Sequence, residues 1–311
     1  ARACATKMAQ NAAAATSVRV VTYNILAQVY AKSAWYPWTP RALMKSKARR
    51  ANVQKKLLAL DADLMALQEL DGYEPSEEND ARWKSWLREH GYESRYVQRT
   101  KKSNAKKDGS CVAWRAATFA LEDSRNLEYN DIGYDLYGRD DANDETNENE
   151  ARRRYLRDCV GNLTLLRRIK DGALVVFAST HLYWDPECAD VKLAQAKMLI
   201  AECVKFRDEA LIRAEGRPVH VIIGGDFNSD PQSDVYGAMN AAFTSVSNGR
   251  EPQFTNVTPS FTACIDYVFL SSGVRVVAVD EQPARDTLGE GLPNTEYPSD
   301  HLPVAAEIEF D

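Results

Sequence analysis

The sequence contains no apolar run approaching the ~20 residues that a membrane-crossing helix requires. Its six cysteines, Cys4, Cys111, Cys159, Cys188, Cys203 and Cys264, include no Cys-x-x-Cys pair. That excludes a thiolate zinc framework of the usual spacing, and a chain this long needs no disulfide staples, so reduced core thiols are expected. Basic charge is not in excess either. The net charge of −6 marks no basic nucleic-acid-binding protein, although bound divalent cations can reverse the field of a carboxylate-lined site. Internal repeats are absent, and histidine is scarce, at four in 311 residues.

What is present is ordinary globular material, 44% hydrophobic and 27% charged. Strand patterns fall at 18–26, 64–70, 92–97, 111–114, 159–166, 173–182, 219–227, 264–270, 274–280 and 303–310. Helical patterns fill roughly 41–59, 77–90, 190–213 and 233–241. In the third of these, Val191, Ala194, Met198, Ala201, Cys203 and Val204 keep to one side, with Asp190 as a plausible cap. Ten strands with four substantial helices are too strand-rich for simple βαβ winding. The expectation is an α/β four-layer sandwich, two mainly antiparallel sheets flanked by helices.

Residues 18–311 read as a single domain. The Ala-rich segment 1–17, which carries Arg2 and Lys7 and begins without Met, reads as a flexible linker within a longer protein, with a transit-peptide remnant as the alternative. The polar stretch 138–154, an acidic block followed by three arginines, is expected to be a disordered surface insertion.

The stretch "VHVIIGGDFNSDP" ends a buried-looking strand in two glycines, then places Asp226 and Asn228 two positions apart. On a strand that spacing aims both at one face, and a carboxylate beside an amide suits a hard divalent cation or a polarised water. The alternative is that both merely cap the following turn. The pattern recurs. Asn24 ends the first strand, Glu69 stands among apolar residues where an unpaired carboxylate would be costly, and His181 closes another apolar run. Asp266 lies inside a strand fit for burial, and Asp300 and His301 precede the last strand. Each has a structural explanation alone, as an ion pair, a cap or a satisfied core histidine. Six such placements on separate strands instead suggest a metal-assisted hydrolysis site.

In order and spacing, Y-N-x-L at 23–26, L-Q-E at 67–69, S-T-H at 179–181, G-D-F-N at 225–228, I-D-Y at 265–267 and S-D-H at 299–301 resemble the endonuclease/exonuclease/phosphatase superfamily with the DNase I-like fold. The resemblance runs from about Val18 to Phe310. "THLYWDPECADVKLAQ" (180–195), "WYPWTPRAL" (35–43) and "FTNVTPSFTACIDY" (254–267) are further similar to carbon-catabolite-repression-type poly(A) deadenylases. Ala263 stands where that group usually has glycine, and the acidic stretch has no counterpart there.

The resemblance implies a Mg2+-dependent 3′–5′ exoribonuclease acting on single-stranded RNA, at poly(A) 3′ ends, with one or two ions and Mn2+ able to substitute. Glu69 is then the principal metal ligand with Asn24 nearby, and Asp226, Asn228, Asp300 and His301 complete the metal and phosphate site. Asp226, helped by Asn228, is the candidate to orient and deprotonate the attacking water, though the choice of carboxylate base stays open. Asp266 would orient His301, and His181 would bond the scissile phosphate. Pro186, Asn256 and Phe261 are implied as the adenine pocket, and Phe261 offers a face for stacking worth ~1–3 kcal/mol.

A monomeric catalytic domain in the cytoplasm is expected, or in an organelle if the N-terminal segment targets it. Deadenylation-complex proteins are possible partners, although the leucine-rich repeats that join full-length relatives to that assembly are not in this sequence. Arg95, Arg99, Lys101, Lys102, Lys106 and Lys107 are either a track for the RNA backbone or a solvated hairpin tip, the second being favoured. Two rival readings stand: the same fold acting on 2′,5′-oligoadenylate, a dinucleotide phosphate or an abasic DNA site, and a non-catalytic RNA- or protein-binding module.

Overall fold

The computed structural model describes residues 17–72, 83–100, 108–138 and 147–311. Its strands are β1 (Val18–Asn24), β2 (Leu64–Asp71), β3 (Tyr92–Gln98), β4 (Asp108–Arg115), β5 (Phe119–Glu128), β6 (Val160–Arg168) and β7 (Leu174–His181). They continue as β8 (Val219–Asp226), β9 (Thr244–Ser245), β10 (Asn256–Val257), β11 (Thr262–Ala263), β12 (Asp266–Leu270), β13 (Val274–Val279) and β14 (Val304–Phe310). The helices are α1 (Ser46–Leu60), α2 (Trp83–Glu89), α3 (Asp131–Tyr137), α4 (Asn147–Tyr155), α5 (Ala189–Arg213) and α6 (Asp234–Ala242). One sheet has the order β13-β14-β1-β2-β4-β3 and the other β5-β6-β7-β8-β12-β9, and β10 and β11 form a small hairpin.

Each large sheet has one parallel pair at its centre, β1–β2 and β7–β8, and antiparallel neighbours elsewhere. The parallel pairs need crossover helices, which α1 and α5 supply. Side-chain alternation builds the layers. Val18, Val20, Leu64, Ala66, Val175, Phe177, Ile222 and Val268 fill the space between the sheets. Val21, Tyr23, Met65 and Leu67 meet Val53, Leu57 and Leu87 of α1 and α2. Val176, Ala178, Val221 and Ile223 meet Leu199, Cys203, Phe206 and Met239 of α5 and α6. The strands are apolar on both faces because both faces are covered, which gives the expected four-layer sandwich.

Every predicted strand and helix is present within a few residues, apart from residues 77–82, which lie outside the described set. The buried stripe of α5 differs from the predicted one. It runs through Val191, Lys192, Gln195, Ala196, Leu199, Cys203, Phe206 and Ala210. Lys192 and Gln195 belong to it because they are hydrogen-bonded, donating to the Asn228 carbonyl (2.8 Å) and accepting from the Tyr183 amide (2.9 Å). Asp190 does not cap the helix and instead takes two bonds from Arg154.

The expectation of disorder over 138–154 fails for its second half, where α4 forms; residues 139–146 lie outside the described set. Three arginines in the last turn of α4 complement its dipole, Tyr155 stacks on Tyr137 of α3, and Arg154 ties the helix to Asp190. The five described cysteines are free and buried, and no described helix is long and apolar enough to cross a membrane.

Candidate active site

The carboxyl ends of β1, β2, β7 and β8 open on one edge of the sandwich, where the antiparallel β12 and β14 begin. Asn24, His181, Asp226 and Asp266 share the alternation phase of the residues that fill the gap between the sheets, so they project into its mouth. Glu69 has the opposite phase. The β2–β4 register shifts between Leu67 and Leu70, and Glu69 takes a left-handed φ of 57°. This bulge turns its carboxylate toward Asn24, at a backbone cost of order 1–3 kcal/mol.

Asn24 joins the sheets. Its Nδ2 donates to Glu69 Oε1 (3.2 Å) and to Asp226 Oδ2 (3.0 Å), while its Oδ1 accepts from the Leu26 amide (3.0 Å). Asn24 thus faces the carboxylates with its nitrogen. The other Glu69 oxygen accepts from the Ala27 amide (2.9 Å). Asp226 is buried, and its Oδ2 lies 3.4 Å from His181 Nε2 and 3.7 Å from His301 Nε2. His301 Nδ1 is 2.9 Å from Asp266 Oδ2, which also accepts from Thr255 Oγ1 (2.6 Å).

Burial first, and then the charges of Asp108 and Asp300, push Glu69 up to about 7. Burial and then Asp266 push Asp226 up to about 7, against the pull of His301 and the bond from Asn24. Burial alone would lower His301, but Asp266 and Asp226 outweigh it and hold the ring well above its ordinary value. His181 is held well below its ordinary value by burial, then Arg99, then His301.

The donor set fits a divalent cation. Carboxylate oxygens of Asp226 and Asp266 lie within 4.8 Å of each other and of a His301 ring nitrogen, and Asp266 Oδ1 is buried with no hydrogen-bond partner. A cationic His301 has no lone pair to give, so the oxygens are the donors. Asn24 amide hydrogens lie between Glu69 and Asp226, marking a place that favours positive charge. Oxygen-rich donors of this kind select hard ions over soft ones.

The remaining predicted residues are distributed around this centre. Asp300 accepts from Tyr36 Oη at 2.8 Å. Asn228 does not share a strand face with Asp226, because β8 ends at Asp226 and Asn228 has a φ of 47°. Its amide N–H instead donates to Asp226 Oδ1 (2.9 Å) in an Asx turn, and its side chain donates to the Leu182 carbonyl (3.0 Å). Asp226 therefore does accept from the following turn, which orients its carboxylate, while the Asn228 side chain ties that turn to Leu182 rather than capping it.

Asn256 is buried and bridges to His301 through the backbone; Phe261 is 51% exposed at the turn of the β10–β11 hairpin; Pro186 is exposed and opens a 3-10 helix after His181. Asn256 and Phe261 belong to the same β10–β11 hairpin, whereas Pro186 lies on a separate loop after β7.

Arg99 corrects both alternatives offered for the basic stretch. It is neither a free phosphate contact nor a solvated tip, being 14% exposed and bonded to Asp108 (2.8 Å) and His181 (2.9 Å). Arg95 stays exposed, and Lys101, Lys102, Lys106 and Lys107 lie outside the described residues. Tyr36, Thr255 and Asp108 lie at this centre but are not singled out by sequence reasoning, which places Arg99 only among the basic residues of a track or hairpin tip. Only the polar pair Thr255–Asn256 just before the Asp266 strand gives a usable signal.

Residues 21–301 match the family model described as the Endonuclease/Exonuclease/phosphatase family. The chain is 36% identical over 333 residues to carbon catabolite repressor protein 4 homolog 4 of Arabidopsis thaliana, covering 94% of this chain and 77% of that protein. It is 28% identical over 332 residues to the CCR4-Not complex 3′-5′-exoribonuclease subunit Ccr4 of Saccharomyces cerevisiae, covering 94% of this chain but 38% of the yeast protein. Among solved structures, ANGEL2, a 2′,3′-cyclic phosphatase, superposes with a TM-score of 0.76 at 22% identity, covering 95% of this chain and 96% of that one. The human Nocturnin catalytic domain does so with a TM-score of 0.67 at 21% identity, covering 96% and 94%. With the same ordered motifs converging at one mouth, the chain belongs to the endonuclease/exonuclease/phosphatase family.

Proposed function

We propose that this chain is a Mg2+-dependent 3′–5′ exoribonuclease that removes adenylates from RNA 3′ ends and releases 5′-AMP. The observation that supports it most is the bridge through Asn24. One amide contacts Glu69 in one sheet and, through Asp226 in the other, a centre flanked by two imidazoles. Relatives named as 3′–5′ exoribonuclease subunits align with 94% of this chain at 28–29% identity. Mn2+ is expected to substitute for Mg2+, and single-stranded poly(A) is the proposed substrate. The yeast relative is named as a subunit of the CCR4-Not complex; deadenylation-complex proteins are the proposed partners here, and cytoplasmic mRNA the proposed target.

Glu69, with Asp226 beside it, would hold the cation, which offsets phosphate charge and stabilises the charge that develops on the leaving 3′-oxygen. Asp226 orients the attacking water and accepts its proton. The water oxygen bonds to phosphorus as the bond from phosphorus to the 3′-oxygen of the preceding nucleotide breaks. His301, held cationic by Asp266, and His181 present their Nε2 atoms to the non-bridging oxygens. Asn256, beside His301, and the exposed Phe261 are placed to read and stack the terminal base, with Pro186 as a third wall.

The test compares 5′-AMP release from 3′,5′-oligo(A), oligo(U) and 2′,5′-oligo(A) in Mg2+, with Glu69→Ala as control. Preferred release from 3′,5′-oligo(A), lost by at least about 10³-fold in the variant, is expected. Equal activity of the variant removes Glu69 from the mechanism, and a preference for the 2′,5′ linkage replaces the substrate.

A further inference from the structure

The two imidazoles beside Asp226 are braced from behind by groups of opposite charge. His301 has the Asp266 carboxylate on its Nδ1, whereas His181 has the Arg99 guanidinium on its Nδ1, at 2.9 Å. A guanidinium has five N–H donors and no acceptor. His181 Nδ1 must therefore accept with its lone pair, which leaves the ring neutral and its single proton on Nε2. That nitrogen is the one facing Asp226 Oδ2 at 3.4 Å.

Arg99 is itself fixed. Its backbone amide donates to the Asp108 carbonyl (3.0 Å), its Nε donates to Asp108 Oδ2 (2.8 Å), and its Nη1 touches Cys159 Sγ (3.5 Å). Asp108 is 1% exposed, and its other oxygen accepts from Tyr30 Oη (3.2 Å). The fork therefore spans a buried carboxylate on one side and the imidazole on the other. A lysine could make either contact but not both in this planar geometry.

We propose that Arg99, braced by Asp108, is a positioning residue that locks His181 as the neutral Nε2–H tautomer with its proton directed into the mouth of the site. The kinetic consequence rests on the phosphodiesterase reading; the location of the proton does not. A neutral donor at His181 and a cationic donor at His301 divide the work of binding a phosphate, one fixing orientation and the other supplying charge.

The direct test is a 15N spectrum of protein carrying labelled histidine. His181 is assigned among the four histidines by difference from His181→Gln. An unprotonated, hydrogen-bonded Nδ1 and a protonated Nε2 are expected. A protonated Nδ1 in the unmodified protein overturns the proposal, whatever the enzyme does.

In Arg99→Met the His181 signals should become a tautomer mixture. The kcat on oligo(A) should fall by about 10²-fold or more while KM stays within about threefold. Arg99→Lys, which restores one donor, should recover at least about tenfold of that loss. A folded Arg99→Met with an unchanged tautomer and unchanged kcat also overturns the proposal. If that variant does not fold, the spectrum of the unmodified protein decides. The expected tautomer in a protein that cleaves no RNA would sink the exoribonuclease reading alone.

Discussion

Asp266 carries three separate duties on one side chain and its backbone. Its Oδ2 takes the Thr255 hydroxyl and the His301 ring, its Oδ1 is buried without a protein partner, and its backbone pairs directly with Asp226 across the β8–β12 ladder. Replacing the carboxylate by an amide keeps the shape and removes the charge that holds His301 cationic. Asp266→Asn should therefore lower kcat on oligo(A) by about 10²–10⁴-fold with little change in KM. Initial rates alongside a melting curve check this, and a folded variant within threefold of the parent would refute the assigned role. At this scale the motif residues are legible because a carboxylate, amide or imidazole stands out against an apolar strand. Arg99 is not: it sits in the polar run "RTKKSNAKK", where nothing in composition separates one inward arginine from its basic neighbours. Thr255 is equally hidden, since a hydroxyl that bonds both a carboxylate and two backbone amides has no sequence signature.

Elements are easier to read from sequence where both faces are apolar and harder where the strand is an edge. β5 escapes sequence reasoning because "FALEDSRNLE" is an edge strand whose exposed Glu122 and half-buried Arg125 pair with Arg167 and Glu209. α4 escapes it because its stability comes from α3 and Asp190, contacts that are remote in sequence. The paired glycines stand out in the sequence, and the structure supplies their purpose. A Cβ on Gly224 would stand 2.6 Å from Ala66 Cβ and 3.0 Å from Thr22 Cβ, both in the opposite sheet. Small residues at this point let the two sheets approach closely one step below the site, which is how Asn24 reaches Asp226 at all. Gly224→Ala should cost about 1–3 kcal/mol of stability and reduce activity through the displaced β8. Gly237 is the contrasting case, exposed within α6, where an added methyl would meet nothing within 4 Å. Gly237→Ala should stabilise by about 0.5–1 kcal/mol and leave activity unchanged. Chemical denaturation of both variants checks the opposite signs, and equal effects would contradict the close-approach account.

Taken as a whole molecule, the sandwich brings carboxylates from two sheets together and leaves them short of positive charge. Two of them, Glu69 and Asp226, are pushed up to about 7, chiefly by burial and then by neighbouring carboxylates. In the unfolded chain both have ordinary values near ~4. The folded state therefore binds these protons more tightly than the unfolded state. Their contribution to stability is accordingly present at low pH and is lost as pH rises from ordinary carboxylate values through about 7. A divalent cation competes for the same oxygens and needs them ionised, so its binding releases protons and strengthens over that window. The cation then restores, at higher pH, the stability that ionisation removes. Thermal unfolding in Mg2+ and in chelator, at about pH 6 and about pH 8, should show the larger Mg2+-dependent rise in Tm at the higher pH. Glu69→Gln should abolish most of that difference, because it removes one titrating oxygen pair and one anionic donor together. A Tm gain equal at the two pH values, or one that survives Glu69→Gln intact, would place the cation elsewhere on the protein.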